Sequence, residues 1–522
     1  MRVHFRAALL AALFSLSLSA GSHLRGGGKD LFWKDGKVKL RVSRTVYWDA
    51  GSSGVDRRET AAQVHAAIYD AILSWVRPGR AKLELDFDFT DATSVGAGEN
   101  IVTFTDPTPY DTGLCNKERF IACTLLSFDE DGAIASASVA FNPYKRHSSL
   151  GLDGTHDLGL IMMHEMGHVL GLNHSFVSGS VMLTEAERDP APGAPRLFAV
   201  RQLAEDDLSA LAGLYPLASP STSISGVVKR GADTVAGARV LAIDAFGRVP
   251  CGVLSGEDGG YRLLVPPGGY TIVAEPSDGA ASTAAGGRVM LAAGESREGV
   301  EVRLSPATGA AAKLTVTSLG VVAGGLYAGL PRVDLARGRD HSFALTRSPV
   351  GLPIELQFPE LVMQGAGAAT SPASAPQLVR QTIKVRAEAE PGSYALVARA
   401  GELIALLPAS LRVVSNPRLD AVLDAETGEP VTILRTGRRY LLKGADFSTV
   451  ETTAQLPFDG APPPTQLEGV ALRFGDRFLP IVSIKPTELL FELPAGAVAE
   501  GRLVLVAGSF MESNPLAVTI EP

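Results

Sequence analysis

Residues 164–174 read His164-Glu165-Met166-Gly167-His168-Val169-Leu170-Gly171-Leu172-Asn173-His174. Histidines four apart project from one face of a helix, one turn above the other. At that spacing both imidazoles can hold one metal ion, and Glu165, beside the first, can reach a water bound to it. Gly171 permits a sharp turn at the helix end, where a positive φ would strain a residue with a Cβ. The turn brings His174 back as a third ligand. Three neutral imidazoles with one open position form the arrangement of a catalytic zinc, whereas structural zinc is closed by four protein ligands. A single helical histidine is ordinarily a core or surface residue, but that reading does not account for this run. The presence of Glu165 argues against an inactive remnant.

The surrounding sequence supplies elements that can position these groups. Met162, Met166, Val169 and Leu170 give the helix an apolar stripe, so the histidines can face a cleft while the methionines face inward. Asp153, Thr155 or Asp157 can cap its start. Upstream, Val64, Ile68, Ala71, Ile72 and Trp75 fall on one helical face, and Pro78-Gly79 ends that helix. Leu83, Leu85, Phe87 and Phe89 alternate with Glu84, Asp86 and Asp88, the pattern of a half-buried strand. Alternating strands and helices suit a mixed α+β domain.

Downstream, Ser178-Gly179 forms a turn before Ser180-Val181-Met182. With that methionine the chain resembles the metzincin metalloproteases, whose extended motif ends in a methionine-containing turn beneath the metal. Ser175, directly after the third histidine, looks like the matrixin family. No tyrosine closely follows Met182, unlike the astacin and serralysin branches. The resemblance runs from about residue 40 to 216 and includes a closing helix with Asp206-Asp207-Leu208. It implies an endopeptidase with one catalytic Zn2+ on His164, His168 and His174, Glu165 as general base, and Met182 as an apolar floor. It also implies that protein or peptide substrates bind extended along an edge strand, placed at Ser136, Ala137, Ser138, Val139, Ala140 and Phe141. Matrixins commonly hold a second, structural zinc, but Ala135–Ala140 contains no histidine. His147 and His156 read as isolated surface or loop residues. Calcium is conceivable at Asp106, Asp111, Asp129 or Asp131, although acidic loop residues are usually just solvated.

Residues 1–20 read as a secretory signal: Arg2 and Arg6 precede an apolar run from Ala7 to Leu18, and Ser19-Ala20 offers small residues for cleavage. That run is short for a membrane span, so a secreted, extracellular protein with no membrane span after cleavage is expected. The chain has three cysteines. Cys115 and Cys123 can close a loop as a disulfide, which fits export, and Cys251 reads as a buried or free thiol. A net charge of −8 gives no support for nucleic-acid binding.

The 522 residues divide as signal peptide 1–20, α+β catalytic domain 35–216, and all-β sandwiches at 223–305, 307–415 and 416–522. Thus the expected fold class is multidomain, a metzincin catalytic domain of mixed β-sheet plus helices followed by two or three β-sandwiches. Asp258-Gly-Gly-Tyr261 and Pro266-Pro-Gly-Gly-Tyr270 resemble the carboxypeptidase regulatory-like sandwich. Pro391-Gly-Ser-Tyr394 marks an Ig-like strand. Tyr440-Leu-Leu-Lys-Gly444 with Phe474-Gly475 resembles the IPT/TIG domains. In secreted proteins such modules act as spacers or adhesion units, so matrix or glycan binding through them is conceivable. The competing functional expectation is therefore an extracellular adhesion or scaffold protein with a subsidiary or inactive zincin domain.

Overall fold

The computed structural model describes residues 10–11, 23–46, 54–56, 59–94, 98–105, 115, 120–150, 155–183, 201–217, 222–276, 284–305, 314–323, 326–330, 332–350, 353–365, 369–371, 373, 375–401, 403–475, 477–495, 500–508 and 511–521. Most of the signal segment, together with Asp106, Asp111 and Asp153, lies outside them. The fold is an N-terminal α+β unit with helices, followed by all-β sandwiches.

The N-terminal sheet contains Lys37–Ser43 (β1), Glu84–Thr90 (β2), Ile101–Phe104 (β3), Ala122–Phe128 (β4) and Ile134–Phe141 (β5). Its order is β4-β5-β3-β1-β2, with Leu10–Ala11 outside β4. All pairings are parallel except β4 against β5 and Leu10–Ala11 against β4. β5 is therefore interior, hydrogen-bonded to β3 on one side and β4 on the other. This corrects the expected substrate edge at Ser136–Phe141: its backbone groups are already committed to neighbours. Its antiparallel neighbour β4 is paired on the other side only with the two residues Leu10–Ala11.

Helix α1 (Ala61–Leu73) starts at a capping box in which the Gln63 amide donates to Thr60 Oγ1 and the Thr60 amide donates to Gln63 Oε1. Helix α2 (Leu158–Val169) carries the histidines and starts at Asp157, whose Oδ1 accepts from the Leu160 amide at 2.8 Å. Arg201 then grips the Asp157 carboxylate bidentately, at 2.8 and 2.9 Å. The apolar stripe reaches the core as its spacing dictates, for Met162, Met166, Val169 and Leu170 are all fully buried. Three polar side chains meet carbonyls of α2 and its C-cap: Trp75 Nε1 donates to Met163, Trp33 Nε1 to Val169, and the Tyr215 hydroxyl to Leu170. The last two satisfy oxygens that a helix end leaves without an internal partner.

His147 differs from its expected surface position. It is fully buried, edge-on to Phe141 and Phe104, and its Nε2 donates to the Asn142 carbonyl at 2.8 Å. Calcium gains no support at Asp129 and Asp131, the two of the four expected aspartates among the described residues. Asp129 Oδ1 accepts from the Asp131 and Ala133 amides within a turn, and Asp131 pairs with Lys29 at 2.7 Å. Cys115 and Cys123 are disulfide-bonded, and Cys251 is a buried thiol.

Three further apolar cores follow in chain order, spanning Ile224–Leu304, Leu314–Val413 and Leu419–Ile520. Each lies between two sheets with alternating inward side chains, the sandwich solution to burying one face of each sheet. Among the described residues, no helix is long and apolar enough to cross a membrane.

Candidate metal centre

His164, His168 and His174 converge, with one ligand atom from each lying within 4.8 Å of the others. Among the described residues this is the only cluster of three or more His, Cys, Asp or Glu side chains able to hold a metal ion. The ring centroids are 4.8 to 5.2 Å apart.

Each element of this convergence has a local cause. The i, i+4 spacing on α2 stacks His164 and His168. Gly171 then takes φ +91°, and a Cβ there would lie 2.1 Å from the Leu31 carbonyl oxygen, so only glycine permits the turn towards His174. His164 Nδ1 lies 2.8 Å from the Val181 carbonyl, and His168 Nδ1 lies 2.9 Å from the Leu172 carbonyl. A carbonyl can only accept, so both rings carry their proton on Nδ1 and present Nε2 as the ligand atom. Burial, reinforced by the neighbouring imidazoles, pulls His168 well below the ordinary histidine range; burial and His164 lower His174 to about 3. These two imidazoles are consequently neutral near pH 7, the form that binds metal.

Met182 packs against the helix at Gly167, between the two helical histidines. A Cβ built on Gly167 would lie 2.2 Å from Met182 Sδ, so the glycine between the two helical histidines is what admits the methionine. The turn bearing Met182 hangs on Asp207. Its carboxylate accepts from the Val181 amide at 2.9 Å, the Met182 amide at 3.3 Å, the Ala204 amide at 2.8 Å and the Ser180 hydroxyl. Asp207 thus fixes the turn whose Val181 carbonyl orients His164. The sequence placed Asp207 only within a closing helix, and nothing local marked it as the anchor of a turn 25 residues earlier.

Glu165 is buried at 4 % exposure, and Thr124 Oγ1 donates to its Oε2 at 2.5 Å. Thr124 sits on β4, so that strand supports the carboxylate. Sequence reasoning missed Thr124, because the contact joins residues 41 apart. Ser136–Phe141, the expected edge residues, are all buried in β5, and Ala137, Val139, Ala140 and Phe141 are wholly inaccessible.

Residues 60–216 match the family model of the matrixins. The match covers the helix α1, the histidine run, the Met182 turn and the closing helix Glu205–Leu214 (α3). No curated protein matches the chain. Among solved structures, a surface glycan-binding protein from Prevotella bryantii is similar at 12 % identity and TM-score 0.19, over 40 % of this chain and 42 % of that one. A DUF3823 family protein from Parabacteroides merdae is similar at 14 % identity and TM-score 0.15, over 37 % of this chain and 99 % of that one. A titin Ig tandem is similar at 12 % identity and TM-score 0.15, over 40 % of this chain and 96 % of that one. Scores this low carry no argument about function, and the matrixin match stands on its own.

Proposed function

We propose that the chain is a secreted zinc-dependent endopeptidase whose matrixin-like segment hydrolyses internal peptide bonds of extracellular proteins. The observation that supports this reading most is the convergence of three histidine side chains, two of them tautomerically fixed, beside a buried, oriented carboxylate. The donor set suits zinc: three imidazole nitrogens and, among the described residues, no thiolate and no fourth protein ligand in the cluster. When bound, zinc would act as a Lewis acid, lowering the pKa of water and polarising the scissile carbonyl.

The chain's own residues do the rest. Glu165 accepts a proton from the attacking water and returns it to the departing amine nitrogen as the C–N bond breaks. Thr124 keeps that carboxylate aimed. β4 offers the strand edge along which an extended peptide can add, and Leu10–Ala11 occupies that edge in the full-length chain. Removal of residues 1–20 on export would leave it open to substrate.

The test is casein cleavage by purified, leader-free protein with and without a chelator. Activity should vanish on chelation, return with zinc, and be absent from Glu165→Ala protein that still binds zinc. Full cleavage by the Glu165→Ala protein would overturn this mechanism.

A further inference from the structure

We infer that the first and second sandwiches, the second and third units of the chain, hold the His174 loop in its ligating position, with Asp206 as the positioning residue that ties the first of them to it. This rests on the metal-centre reading above and goes beyond it, since it makes the sandwiches part of the site instead of spacers.

The loop between the last ligand and the methionine turn, residues 175–180, is where the other units dock. Asp206, 2 % exposed, accepts from the Ser175 hydroxyl at 2.6 Å through Oδ2. Through Oδ1 it accepts from the Gly252 amide at 2.7 Å, a backbone group of the second unit. One carboxylate therefore bridges the residue after His174 to a strand of the following sandwich. Val177, 1 % exposed, lies in an apolar cluster with Leu241 and Val249 of the second unit and Ala395, Leu406 and Ala409 of the third. Phe176 packs against the same cluster, with the Arg239 guanidinium over its ring at 5.9 Å. The Ser178 amide donates to the Pro408 carbonyl at 3.3 Å.

Strand periodicity shows that this docking face is separate from the sandwich cores. In Arg239–Asp244, Val240 and Ala242 enter the second core while Leu241 and Ile243 face the shared cluster. In Gly392–Ala400, Tyr394, Leu396 and Ala398 enter the third core while Ala395 and Val397 face the shared cluster. An outward face of a sandwich would ordinarily be polar, and here it is apolar where it meets Val177. Gly252 fits the same purpose: a Cβ there would lie 2.6 Å from Val177 Cγ2 and 3.1 Å from Phe176 Cζ. A loop fastened on both flanks by buried partners keeps its ligand pre-positioned, as the outer shell of a metal site does.

The experiment uses the full chain with Leu241→Glu and Ala395→Glu, singly and together, and Met290→Gln at a side chain 75 % exposed as control. Zinc affinity is read by competition with a chromophoric chelator. Hydrogen exchange over residues 175–183 is read on metal-free protein. The cluster variants should weaken zinc binding about tenfold and speed exchange across the loop, with the control unchanged. Gly252→Ala, which adds one methyl, carries the same test should the glutamates prevent folding. Folded variants with wild-type zinc affinity and wild-type exchange would overturn the inference. A wild type that takes up no zinc would instead defeat the catalytic reading, and the exchange comparison would still decide the docking.

Discussion

The Thr124 hydroxyl donates to Glu165 Oε2 at 2.5 Å, joining β4 of the sheet to the proposed general base. A carboxylate that must take a proton from one water and return it to one nitrogen gains from a fixed orientation, because small displacements of a reacting group slow proton transfer steeply. Thr124→Val removes the donor and keeps the shape. It should lower kcat on the order of ten- to a hundredfold with zinc content unchanged, while Thr124→Ser recovers most of it. Steady-state kinetics beside metal analysis checks this; equal kcat for the valine variant would remove Thr124 from the account.

Gly167 is the contact between the metal helix and the methionine turn. Gly167→Ala places a methyl 2.2 Å from Met182 Sδ and 3.1 Å from the Trp75 ring. The overpacked interface should lose about 2 kcal/mol of stability, seen as a lowered Tm, although alanine is the better helix former. Shortening Met182 to alanine in the same protein should restore part of that loss.

Asp207 accepts from three amides and one hydroxyl while wholly buried, and burial raises its pKa. Asp207→Ala strands those donors without solvent. The expected loss is about 3 kcal/mol, together with weaker zinc binding, because the Val181 carbonyl that orients His164 is released. Chemical denaturation of the metal-free protein and zinc competition measure the two effects separately.

Burial, aided slightly by His156, lowers the His147 pKa to about 4. Its folded value is below the unfolded 6.5, so the native state refuses a proton that the unfolded chain accepts. Stability from this group is complete above pH 6.5 and falls as the pH drops towards 4. The slope in that window approaches about 1.4 kcal/mol per pH unit. Metal-free His147→Gln protein should show a shallower decline of Tm with falling pH than wild type; parallel declines would contradict it.

The site was readable in sequence where its geometry is local. The helical period places His164 over His168, the turn at Gly171 returns His174, and Met162, Met166, Val169 and Leu170 show which side faces the core. What pairing and packing decide was not readable. The family resemblance placed an edge at Ser136–Phe141, yet strand order depends on which distant segments pair, and β5 lies between β3 and β4. His147 looked isolated because Phe104 and Phe141 meet it only in three dimensions. Leu241, Ile243, Ala395 and Val397 carry a signal in retrospect, since apolar residues on both faces of those strands imply a second buried surface.

The claim on which the account depends is that three imidazoles seat one zinc. Metal analysis of purified full-length protein, beside His164→Ala, His168→Ala and His174→Ala variants, tests it most directly. The account predicts one zinc per chain in the wild type and little or none in each variant. A folded wild type without bound zinc, or variants that retain it fully, would contradict it.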